Sequence, residues 1–138
     1  MRIVKIIVFS FLCGFVIMGL KKELIIVEVK KITAIELEKK MTEEHSIILD
    51  VRAVEKYNTY HIQNNNLETI NIPKTFILSD SEKNFEIQNA LPKHNEIIVT
   101  CTTGNSAMKC ASILAKNGYD VSVLDGGLNA WIEHEETK

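Results

Sequence analysis

The sequence is short of the residues that build a metal centre or a disulfide framework. It holds three cysteines. One of them, Cys13, lies in an apolar leader, which leaves Cys101 and Cys110 for the body. Two thiols cannot staple a small domain, and their spacing is not that of zinc ligands. The histidines (His45, His61, His94 and His134) are scattered, so no metal site is expected. Proline occurs only at Pro73 and Pro92, and no low-complexity stretch or internal repeat is present. Positive charge is also scarce outside the leader. The leader takes four basic residues and no acid, leaving 12 basic against 18 acidic residues in 23–138, near −6. That balance, with no basic patch interleaved with aromatics, excludes a nucleic-acid partner.

What is present divides into two parts, a leader at 1–22 and a body that reads as one domain. Ile6 to Leu20 is an uncharged apolar run of 15 residues preceded by Arg2 and Lys5. This is the layout of an export signal. The run is short for a spanning helix, which needs about 20 residues. Including Ile3 and Val4, with Lys5 snorkelling, lengthens it. No small-residue cleavage site follows. The leader is therefore expected to be a signal peptide or an uncleaved anchor. The expected location is the bacterial periplasm, exported or held to the inner membrane by residues 3–20. Membrane contact would run through that segment if it is uncleaved.

In the body, "ELIIVEVKKI" reads as a first strand. "TAIE" has the capping-box form, a hydroxyl followed three residues later by a carboxylate. A helix through Met41 follows, with Ala34, Leu37 and Met41 on one face. "SIILDV" and "EIIVT" are continuous apolar runs, short enough to be buried strands. "AVEKYNTYH" is expected to be helical, "TINIP" a short strand stopped by Pro73, and "SEKNFEIQNAL" a helix ended by Pro92. "NSAMKCASILAKNG" is a helix with Gly118 at its end. "DVSVLD" is a strand and "GGLNAWIEHEE" a terminal helix. Strands alternate with helices throughout. The expectation is an α/β fold, a mainly parallel five-stranded sheet with helices on both faces, in three layers.

In such a sheet, ligands sit beyond the carboxyl ends of the strands. Cys101 falls there, just after a strand and before a helix that begins near Asn105 or Ser106. The free N–H groups and dipole of a helix N-terminus favour negative charge on the sulfur. Gly104 lets the loop turn back so that N–H groups point inwards as an anion nest. A lone cysteine is otherwise a small buried hydrophobe, and Cys110 reads that way. It lies on the stripe Ala107, Cys110, Ala111, Leu114.

Three segments resemble a single rhodanese (sulfurtransferase) domain, over about residues 29–134. In "IILDVRAVEKYNTYHI", Asp50, Val51, Arg52, Tyr57, His61 and Ile62 match the family pattern. "NIP" at Asn71 to Pro73 fits its turn into the next element. The stretch from Gly118 to Trp131, "GYDVSVLDGGLNAW", is close to the family's most specific motif. The departures are also specific. Tyr60 stands where the family has glycine, and "QNN" follows the His-Ile pair. Members that use thiosulfate commonly carry two arginines in the cysteine loop. Here the loop reads Cys101-Thr102-Thr103-Gly104-Asn105-Ser106 and has none. Its hydroxyls bring it nearer to mercaptopyruvate-type members.

The resemblance implies a ping-pong sulfurtransferase or persulfide carrier. Cys101 would be the catalytic nucleophile, and Thr102, Thr103, Gly104, Asn105 and Ser106 the substrate-binding loop. Asp50 and Arg52 would be structural contacts near the site, and His61 structural. The implied partners are a small sulfur donor and a thiol acceptor, small molecule or protein, with no cofactor. The six-residue loop without arginine lacks the bidentate clamp of arsenate- and phosphate-handling relatives. Two other readings remain open. One is a non-catalytic rhodanese module that binds a partner or senses sulfur species. The other is a thiol-redox protein using Cys101 and Cys110, without the C-x-x-C spacing such proteins use.

Overall fold

The structure is a computed structural model and describes residues 27–79, 87 and 89–138. The leader at 1–22 lies outside the described residues. Among those described, no helix is long and apolar enough to cross a membrane.

Five strands form one sheet: β1 (Lys30–Ile32), β2 (Ser46–Asp50), β3 (Leu67–Asn71), β4 (Ile97–Thr100) and β5 (Val121–Leu124). Their order is β1-β5-β4-β2-β3. Every pairing is parallel, so all five carboxyl ends share one edge. The helices whose bounds fall wholly within the described residues are α1 (Ala34–Glu43), α2 (Val54–Thr59), α3 (Lys74–Leu78), α4 (Asn105–Lys116) and α5 (Gly127–Glu136).

The buried strands separate two cores by their period of two. Ile47, Leu49 and Val51, with Ile97 and Val99 and with Val121 and Val123, face Ile77 of α3 and the Ala107, Cys110, Ala111, Leu114 stripe of α4. Ile48, Ile98 and Leu124 face Ala34, Leu37 and Met41 of α1 and Leu128 and Trp131 of α5. Both faces being covered explains the uninterrupted apolar runs. The cap expected at Thr33 forms, with its hydroxyl accepting from Glu36 N–H at 3.1 Å.

Some expected elements differ. Of the first strand, expected over 23–32, residues 23–26 lie outside the described residues, and the strand begins only at Lys30, with 27–29 outside it. The third strand lies at Leu67–Asn71 rather than 69–73, because it pairs in register with Ser46–Asp50. The second helix ends at Thr59, two residues before His61. The helix expected over 81–91 lies mostly outside the described residues. Helix α3 was not expected, since five residues are too few to display a helical period. Gly118, with φ +87°, follows the last helical turn one residue beyond the cap at Asn117.

Candidate active site

The connections of β2 and β4 leave in opposite directions. β2 leads to β3 on one side of the sheet and β4 to β5 on the other. Such a switch point opens a crevice at the carboxyl edge. A cavity of about 290 Å³ lies there, lined by the segments after both strands (Val51 to Ala53 and Cys101 to Thr103) together with Lys56, Lys74 and Ser106.

Cys101 reaches this crevice as a continuation of its strand. It falls on the same side of the sheet as Ile97 and Val99 and is 6% exposed. That side is the one covered by α4. Its sulfur accepts the N–H of Gly104 at 3.1 Å and of Ala107 at 3.4 Å. Gly104 caps α4 with φ +98°, a conformation L side chains rarely adopt. Two N–H groups of a helix start are thereby aimed at one sulfur, an arrangement suited to a thiolate or a persulfide anion.

The loop is held from beneath by α5. Leu128 N–H donates to the Cys101 carbonyl at 2.9 Å and Asn129 N–H to the Thr102 carbonyl at 3.1 Å. The free donors of one helix N-terminus are thus satisfied by the carbonyls of the cysteine loop. Gly127 permits the approach. A Cβ there would run into the Cys101 carbonyl oxygen and lie 2.7 Å from that of Thr102. This is the structural content of the "GG" in the sequence.

The expected loop residues separate into three groups. Thr102, Thr103 and Ser106 line the cavity with Cys101. Gly104 acts through its backbone N–H. Asn105 does not line the cavity; it turns to a second hollow with Lys31, Met108 and Lys109. The reason is helical: Asn105 and Ser106 are consecutive at the start of α4 and face different directions. Asp50 and Arg52 form a near-buried pair. Arg52 Nε lies 3.0 and 3.1 Å from the two Asp50 oxygens, and Nη2 lies 2.7 Å from Asp50 Oδ2 and 2.6 Å from the Tyr60 carbonyl. The guanidinium thus ties β2 to the end of α2, at Tyr60.

His61 stacks on Tyr57 with ring centroids 4.0 Å apart. Its Nδ1 meets the Tyr57 carbonyl at 2.9 Å, and a carbonyl only accepts, so Nδ1 carries the proton. Gln63 then donates to Nε2 at 2.8 Å. His61 is occupied structurally and does not line the Cys101 cavity. Cys110 is fully buried, and burial, reinforced by the nearby Cys101, pushes its thiol up to about 11. It stays protonated near neutral pH, which weakens the redox reading.

Three participants were not visible in sequence. Ala107 supplies the second N–H to the sulfur. Lys56 and Lys74 bring positive charge from α2 and α3, and Lys74 Nζ donates to Ser106 Oγ at 3.4 Å. Nothing at short range marks Lys74 except its place directly after "NIP".

The fold and site together define the class: a parallel α/β domain with a thiol nested at its switch point. A family model described as Rhodanese-like domain matches residues 33–134, and the chain belongs to that family. Solved structures agree. A rhodanese-like domain protein from Staphylococcus aureus is 29% identical over 75% of this chain and 91% of its own, with TM-score 0.63. A rhodanese-related protein from Thermoplasma volcanium is 25% identical over 76% and 92%, with TM-score 0.62. A human single-domain sulfurtransferase shares the fold at 18% identity over 77% and 97%, with TM-score 0.60. No curated protein matches the chain.

Proposed function

We propose that this protein is a sulfurtransferase or persulfide carrier that moves sulfur through a Cys101 persulfide. The observation that carries the reading is the pair of N–H groups, from Gly104 and Ala107, converging on a sulfur that lines an open cavity. The Cys101 thiolate attacks the outer sulfur of a donor, and the donor remainder leaves with the bonding electron pair. The persulfide anion sits on the same N–H groups, which suit both resting states. An acceptor thiolate, or cyanide in an assay, then attacks the outer sulfur and releases the Cys101 thiolate. Thr102, Thr103 and Ser106 line the donor's approach, while Asp50 and Arg52 brace the floor. Residues 3–20 would carry the domain across, or hold it to, the inner membrane of a bacterium, facing the periplasm.

The test is direct. The protein is incubated with thiosulfate, 3-mercaptopyruvate or polysulfide, separated from the donor and weighed intact, then mixed with cyanide. A gain of one sulfur that is absent in Cys101→Ser and discharged by cyanide is the expected result. No gain with any donor would sink the transferase reading in favour of a non-catalytic binding module. Reporter fusions after residue 22 and at the C-terminus would decide the location.

A further inference from the structure

The loop after Cys101 carries no cation, and the body of the chain is net negative. The cavity in front of the sulfur is nevertheless positive. Its lining includes Lys56, Lys74 and Arg52 and, among the described residues, no carboxylate. Arg52 is spent, with Nε and Nη2 on Asp50 and Tyr60. The two lysines have no carboxylate partner among the described residues. Lys74 stands on a firm base. Its N–H donates to the Val51 carbonyl at 2.9 Å. Asn71 Nδ2 ties the preceding turn to the Asp50 and Arg52 carbonyls at 2.9 and 3.0 Å. The Lys74 Nζ contacts Ser106, next to the Ala107 N–H that meets the sulfur. An anion in front of Cys101 would therefore meet the start of α4 and two ammonium groups from other elements.

We propose that Lys74, with Lys56 lining the same cavity, determines donor specificity by pairing with the anionic end of the sulfur donor, supplying from α3 and α2 the charge the loop lacks. This rests on the sulfurtransferase reading of Cys101. The donor class is a small anion with its transferable sulfur next to a sulfonate, or on a carbon near a carboxylate. With a thiosulfonate, the thiolate forms a bond to the outer sulfur, the sulfur–sulfonyl bond breaks, and the electron pair leaves on the sulfinate, or on sulfite in the case of thiosulfate. With a mercapto-ketoacid, the sulfur–carbon bond breaks and the pair leaves as an enolate, which takes a proton from water. Neither route needs an outside oxidant.

The experiment uses methanethiosulfonate reagents of three charges on the full chain: sulfonatoethyl (anionic), methyl (neutral) and trimethylammonium-ethyl (cationic). Modification is followed by mass on the Cys101 peptide, with Cys101→Ser as blank. The expected result is that Lys74→Gln lowers the anionic-to-neutral rate ratio about tenfold, the scale of one charge at close range. The anionic rate should fall further than the neutral rate, the cationic rate should rise relative to the neutral one, and Lys74→Arg should restore the ratio. An unchanged ratio, or an equal fall with all three reagents, overturns the proposal. Parallel KM measurements with thiosulfate and 3-mercaptopyruvate tell which anion is read, by which KM rises in Lys74→Gln. If neither donor transfers sulfur, the transferase reading fails while the reagent ratios still decide the role of Lys74.

Discussion

The backbone N–H of Leu128 donates to the carbonyl of Cys101 at 2.9 Å. The two residues lie on opposite faces of the sheet, Leu128 in the α1–α5 core and Cys101 in the α3–α4 core. The carboxyl edge is thus where the two cores are joined, through the loop that carries the thiol.

That junction depends on Gly127. Its φ is +61°, and a side chain there meets two carbonyl oxygens. Gly127→Ala is expected to cost about 2–4 kcal/mol, from backbone strain and overpacking together. It should also slow alkylation of Cys101. Gly118→Ala is the control, because its Cβ meets nothing within 4 Å. There only the φ penalty applies, about 1–2 kcal/mol. Urea unfolding of both variants checks the difference.

The Asp50–Arg52 pair should behave as a buried brace. Asp50→Asn leaves the guanidinium short of its counter-charge at a site where Arg52 is 11% exposed. A loss of about 3 kcal/mol is expected. The double variant Asp50→Leu with Arg52→Met should be less damaged than the more damaged of its two singles, and denaturant midpoints will report it.

Cys110 should resist modification in the folded protein. With its thiol pushed up to about 11, iodoacetamide at neutral pH is expected to label Cys101 and spare Cys110 until the chain unfolds. The linkage has a definite sign. A thiol whose folded value lies above its unfolded value leaves stability intact below pH 9 and erodes it as pH rises beyond. Cys110→Ala should flatten the alkaline limb of the stability curve.

The acid limb should involve Glu96. Burial pushes its carboxyl up, but hydrogen bonds from Lys40 at 3.0 Å and Ser122 at 2.9 Å outweigh that and hold it below the usual range. A depressed carboxyl contributes stability above its unfolded value, and loses it as pH falls through the folded one. The gap in stability between the native chain and Glu96→Gln should therefore be full at pH 7 and shrink on acidification below about 4.5.

The sheet was legible because buried parallel strands write themselves as apolar runs, and SIILD and IIVT did so. The thiol corner was legible from the same rule plus Gly104. Lys74 was not, because it reaches Ser106 across 32 positions of chain. The lack of arginine in the loop was read correctly from the letters. The lysines that neighbour it in space come from segments whose proximity only the fold creates. Asn105 misled for the opposite reason: adjacent in sequence, it is turned away by one step of helix.

The hold that α5 keeps on the cysteine loop runs through main-chain oxygens at Cys101 and Thr102. A main-chain grip is blind to side-chain identity. The positions after the cysteine are therefore free to drift in chemistry while the loop keeps its course, with Gly104 as the fixed point. A loop without arginine yet still wrapped around its sulfur is the kind of sequence such a grip permits.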